Sequence, residues 1–143
     1  MVKKAFMAIP VLLFLLDQYF KLLVLKGPST NTCPGIRMLM NKGIAFGIAN
    51  NSIIMNYAMI IIYILLLVGL LFFYNKYNKW MGVYNYGIAL LFVGISSNLV
   101  DRLIHGAVID YIDLCIWPVF NLADLSIVIG IALLIVFIAK KNF

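Results

Sequence analysis

Four of the chain's five acidic residues, Asp101, Asp110, Asp113 and Asp124, fall within residues 98–124, NLVDRLIHGAVIDYIDLCIWPVFNLAD; the fifth is Asp17, and there is no glutamate. This stretch links two long apolar segments, and an acid in such a setting is a functional-site candidate by default because a membrane environment makes it costly. The chemistry on offer is that of a carboxylate pair. Two aspartates brought together cannot both ionise easily, so they share a proton: one activates a water as base, the other polarises a carbonyl as acid. Asp124 opens an apolar helix, whose free N–H groups can support an anion, and Asp110 lies a short turn away. The bland alternative is that these acids cap helices or pair with Arg102 and Lys42. The residue pattern leaves open whether Asp101, Asp110 or Asp113 is the second member of the pair.

Other chemistries fit less well. His105 is the single histidine and reads as an interfacial helix-end residue, so no Ser-His-Asp set is available. Ser96, Ser97 or Ser126 could in principle work with a lysine, but the helix-embedded Lys21 is matched to Asp17. The acids lack the tight loop spacing of a hard-cation site, and a zinc site calls for more His or Cys. Cys33 and Cys115 are read as two free thiols, able to pair only if both face an oxidising compartment.

The elements that must position these residues are membrane spans. The chain has 143 residues, 65% of them hydrophobic, with a mean hydropathy of +1.08, well above the apolar share of a soluble domain. The reading is one domain: an all-α integral membrane protein of four transmembrane helices, at about 5–25, 53–74, 82–105 and 120–139, with a small extended or β element on the outer face. Each segment is long enough to cross a core of about 30 Å. In the first, Asp17 and Lys21 are four residues apart, share a helix face and can pair. The link 26–52 carries turn residues around Ile36–Met40, a short strand candidate, and then Asn41-Lys42-Gly43-Ile44-Ala45-Phe46-Gly47, which suggests backbone at the interface. The second helix is almost unbroken Ile, Leu, Met and Tyr and reads as lipid-facing. Gly94, Ser96, Ser97 and Asn98 in the third suit close helix contact. The link 106–119 holds an extended Val108–Asp113 and an interfacial Trp117-Pro118.

The formal charge is +6. The basic residues sit at segment ends without a basic face, which argues for membrane topology and against nucleic-acid binding. Lys3, Lys4, Lys76, Lys79, Lys140 and Lys141 mark one side with no acid among them. The positive-inside rule makes that side, with both termini and the NKYNKW turn, cytoplasmic. Both long links and the four clustered aspartates then share the outer face. Two readings from other classes are a small proton-coupled transporter, which needs a free acid near the midplane, and a non-catalytic binding protein on the same frame.

Five blocks, in order, resemble signal peptidase II, the bacterial lipoprotein signal peptidase family: Asp17-Gln18-x-x-Lys21; Asn41-x-Gly43-x-Ala45-Phe46-Gly47; Asn98-x-x-Asp101-Arg102; Val108-Ile109-Asp110-Tyr111-Ile112-Asp113; and Trp117-Pro118-Val119-Phe120-Asn121-x-Ala123-Asp124. The resemblance implies an intramembrane aspartic endopeptidase of the bacterial cytoplasmic membrane that cuts diacylglyceryl-modified prolipoproteins just before the lipidated cysteine. It implies Asp110 and Asp124 as the catalytic pair, and Asn41, Gly43, Asn98, Arg102 and Asn121 as substrate-site residues. Asp17 and Lys21 become a structural pair, and Asp101 orients Arg102. It further implies a monomer working among membrane lipids, with no cofactor and no metal. The sequence departs from the family pattern at Ser97, where a glycine is usual, and in its short outer links.

Overall fold

The computed structural model describes residues 2–27, 33–43, 53–77 and 83–141. Among these, four helices and two strands follow in the order α1 (Val2–Lys26), β1 (Gly35–Asn41), α2 (Ile53–Tyr77), α3 (Val83–His105), β2 (Val108–Asp113) and α4 (Leu122–Lys141). All four helices are long and apolar enough to cross a membrane.

α3 is the central helix. Over half of its apolar window is buried, 56%, against 17% in α1 and α4 and none in α2. The cause is written in its small residues. A side chain on Gly94 would bring its first carbon within 2.5 Å of the Ala123 carbonyl oxygen, and one on Gly87 would come within 3.1 Å of the Gly130 carbonyl. α3 and α4 therefore meet backbone to backbone, the contact that small residues permit in membranes. α2, apolar all round, leaves most of its long side chains outward, as expected of a helix bathed in lipid.

Gly106, with a φ of +68°, ends α3. Its N–H returns to the Arg102 carbonyl at 3.1 Å, a left-handed stop that a side chain would strain. The chain then turns directly into β2, which pairs antiparallel with β1 from Gly35 opposite Asp113 to Asn41 opposite Val108. Phe120 adds a bridge to Ile112, through hydrogen bonds of 2.8 and 3.1 Å between their backbones. The extended segments expected at 36–40 and 108–113 thus form one two-stranded sheet.

Four expectations change. α2 runs on to Tyr77, into the sequence expected to form the basic turn; the rest of that turn lies outside the described residues, as does the segment 44–52. α4 starts at Leu122 rather than near 120, because Phe120 is held in the bridge to β2. The cysteines are not free: Cys33 and Cys115 form a disulfide, with Cα atoms 5.6 Å apart. The register explains it, since Gly35 opposite Asp113 brings the residues flanking the two strands together. Finally, Asp101 does not orient Arg102. It pairs with Lys21 of α1 at 2.7 Å, because neighbours one apart on a helix point in different directions.

Candidate active site

The sheet and the start of α4 together carry the two carboxylates. Asp110 lies mid-strand in β2, opposite Leu39, in a strand whose first four residues are all buried. The Asn41 amide of β1 donates to its Oδ2 at 3.1 Å, and the Asn121 amide donates to its Oδ1 at 2.7 Å. Asn121 is also the N-cap of α4. Its Oδ1 accepts from the Asp124 N–H at 2.9 Å, while the Asp124 Oδ2 accepts from the Asn121 N–H at 3.3 Å. This reciprocal pair is a capping box with an aspartate in the glutamate position. One asparagine therefore starts the helix, fixes Asp124 and touches Asp110. The other oxygen of Asp124 accepts from the Asn98 amide of α3 at 2.8 Å.

Both aspartates open onto one cavity of about 380 Å³, whose lining also includes Asn41, Gly43, Asn98 and Arg102, with Met59, Tyr63, Trp117 and Phe120 as apolar and aromatic walls. Burial, and then repulsion from Asp124, push the Asp110 carboxyl up from its ordinary 3.8 to about 7, against the pull of the Asn41 and Asn121 donors. A carboxyl raised in this way can hold a proton beside a second carboxylate. Arg102 reaches the cavity wall by donating from Nη2 to the Gly43 carbonyl at 2.6 Å and from Nη1 to Asn56 at 3.2 Å. Its guanidinium lies 5.8 Å from the centre of the Tyr63 ring.

Behind the site is a buried ionic cluster. Lys21 bridges Asp17 and Asp101, each at 2.7 Å, and all three residues are at most 2% exposed. Two carboxylates on one ammonium leave an excess negative charge, which neutral donors offset. Asp17 accepts from Ser97 Oγ at 2.6 Å, Tyr111 Oη at 3.0 Å and the Ala123 N–H in the first turn of α4 at 3.2 Å. Asp101 accepts from the Ile109 N–H at 3.1 Å. Burial and the nearby Asp17 carboxylate push the Tyr111 phenol well above its ordinary range, so it stays a donor. Lys21 also donates to Asn98 Oδ1 at 3.2 Å, and so connects the cluster, through Asn98, to Asp124.

Of the residues singled out from sequence, Asp110, Asp124, Asn41, Gly43, Asn98, Arg102 and Asn121 come together. Asp17, Lys21 and Asp101 form the cluster behind them. Asp113 stands apart, paired with the half-exposed Arg37 at 3.5 Å and accepting from the Cys115 N–H at 2.9 Å. Sequence reasoning quoted Gln18 and Tyr111 without giving them a role, and missed Asn56. Gln18 donates to Ser97 Oγ at 2.8 Å, and its polarity inside an apolar helix was the available signal. Ser97 takes the place of a glycine by joining this network, fully buried.

Fold and site together define a polytopic membrane protein with a buried carboxylate pair at one end of its helix bundle. The chain belongs to the signal peptidase II family, whose model, described as "Signal peptidase (SPase) II", matches residues 9–140. It is 39% identical to a lipoprotein signal peptidase of Halothermothrix orenii, over 92% of this chain and 93% of that one. It is 37% identical to another from Pelotomaculum thermopropionicum, over 90% and 87%. Among solved structures it resembles one described as a bacterial membrane enzyme, with a TM-score of 0.84 and 31% identity, covering 97% of this chain and 90% of that one.

Proposed function

We propose that the protein is an aspartic endopeptidase that removes the signal peptide from diacylglyceryl-modified prolipoproteins, cutting before the lipidated cysteine. The observation that carries this reading is the convergence of Asp110 and Asp124 on one cavity, joined through Asn121. The relatives named lipoprotein signal peptidases support the substrate class.

In the mechanism, we assign the shared proton to Asp110, whose carboxyl burial and repulsion from Asp124 raise to about 7. Asp124, held by Asn98 with Lys21 behind, is the base. A water between them gives a proton to Asp124 and attacks the scissile carbonyl carbon, while Asp110 hydrogen-bonds the carbonyl oxygen and stabilises the developing negative charge. On collapse, the C–N bond breaks and Asp124 delivers its proton to the leaving amine. The cavity's apolar walls limit bulk water and strengthen these interactions. Arg102, through Gly43, and Asn41 shape the substrate-facing wall. The enzyme acts as a monomer, without cofactor or metal, in the bacterial cytoplasmic membrane. The lysine-rich helix ends face the cytoplasm, and the aspartates lie at the outer interface.

The test is cleavage of a purified diacylglyceryl-prolipoprotein by the wild type, Asp110→Asn and Asp124→Asn. The wild type should cleave, and each variant should lose roughly 10²–10⁴-fold in rate while remaining folded. Full activity in either variant removes that residue from the mechanism. A well-folded wild type that cleaves no lipoprotein substrate would make the chain a non-catalytic binding relative.

A further inference from the structure

Beside the active-site cavity lies a basic groove that none of the chain's five acids lines. Asp17 and Asp101 share Lys21, Asp113 pairs with Arg37, and Asp110 and Asp124 lie in the asparagine network of the active site. Lys42, Arg102 and His105 take part in none of the ion pairs among the described residues, and the neighbouring segment 44–52 contains no acid in its sequence. These three side chains line a single groove of about 500 Å³ between the start of α2 and the end of α3, with Asn56 and Tyr57 on its polar side. Ile53, Ile60 and Leu103 complete it, and of these Ile53 and Leu103 are 72% and 62% exposed on the outside of the bundle. Arg102 is buried, while Lys42 and His105 are exposed and form the accessible basic side of the groove. Among the described residues no acid pairs with Lys42 or lines this groove, which leaves it open to an anion from outside.

We propose that this groove binds the phosphate of an anionic phospholipid headgroup at the membrane face that bears the aspartates. The observations favour a lipid over a soluble anion, because the basic side chains share the groove with Ile53, Ile60 and Leu103, of which Ile53 and Leu103 are exposed. The phosphate sits among Lys42, His105 and Asn56. The acyl chains run down past Ile53, Ile60 and Leu103. The groove shares Arg102 with the active-site cavity, so an occupied groove steadies the guanidinium that holds Gly43. The proposal stands apart from the peptidase reading, since it concerns binding alone.

The experiment uses the full chain, purified in a neutral detergent and titrated with dioleoyl-phosphatidylglycerol or dioleoyl-phosphatidylcholine, with bound lipid counted by native mass spectrometry. The expected result is selective retention of phosphatidylglycerol, reduced at least about five-fold in a Lys42→Gln, His105→Gln double variant that melts like the wild type. A Lys76→Gln, Lys140→Gln variant, altered at the opposite end of the bundle, should retain it normally. Equal retention of phosphatidylcholine, or undiminished retention in the groove variant, overturns the proposal. Displacement of the bound lipid by millimolar inorganic phosphate also overturns it, by making the groove a site for a soluble anion.

Discussion

Replacing Asp110 by asparagine should stop cleavage and, at alkaline pH, make the protein more stable. The second effect follows from proton linkage. Burial, then repulsion from Asp124, raise the folded-state value of Asp110 from 3.8 to about 7. The folded protein therefore keeps a proton that the unfolded chain has lost. The stability linked to that proton is whole below about 3.8, declines as pH rises through the interval, and is gone above about 7. A gap of that size corresponds to at most about 4 kcal/mol, and water reaching the open cavity would lower it to roughly 2 kcal/mol. Asparagine has the same shape, keeps an oxygen for the Asn121 amide and cannot ionise, so the variant lacks this slope. The assay is a set of thermal melts in detergent from about pH 5 to about pH 9, where the wild type should lose several degrees more than Asp110→Asn. Wild-type turnover should fall over the same upper range as the shared proton is lost. Parallel melting curves for the two proteins would refute the assignment of the proton to Asp110.

Lys21→Met leaves Asp17 and Asp101 buried together without a cation, which should cost about 3–5 kcal/mol; size-exclusion chromatography in detergent should show little folded protein, and a normal profile would sink the argument. Gly94→Ala should push α3 from α4 at the Ala123 carbonyl and move Asn98 off Asp124. A displacement of about 1 Å is worth roughly 10²-fold in turnover, so an unchanged rate in a folded variant would show that the two helices can absorb the methyl group. Cys33 and Cys115 should react with a maleimide only after reduction, and Cys33→Ser should melt lower than the wild type; labelling before reduction would disprove the bond.

The helices were legible because a run of apolar residues longer than a bilayer is thick has few other uses. The choice between Asp110 and Asp113 was not legible from residue types. Both lie in one short strand, and what separates them is the strand register with β1, which puts Asn41 beside Asp110 and Arg37 beside Asp113. The same register hid the disulfide, since residues 82 apart in sequence give no local sign of meeting. Asp101 misled for a different reason. Its adjacency to Arg102 in sequence suggested a pair, but helix geometry turns one toward α1 and the other toward Gly43 and α2. Asn121 was picked out as a substrate-site residue on resemblance alone. Its tie to Asp124 depends on where α4 begins, a boundary that moved by two residues once Phe120 was seen to bridge β2.

The pairing of Asp17 with Lys21 also bears on how the protein is assembled. A spanning helix that enters a bilayer ahead of its neighbours must carry its charges alone, and a lone ion there is costly. α1 carries its buried acid and base one turn apart, in contact at 2.7 Å, so the charges within its apolar stretch are matched on the helix itself. Asp101, on α3, docks onto the same ammonium. That contact brings the Ser97 hydroxyl on α3 to Asp17, and Asp17 in turn takes the Ala123 N–H of α4 and the Tyr111 hydroxyl of β2. The first helix thus serves as a socket on which α3, β2 and α4 all converge through one matched pair of charges.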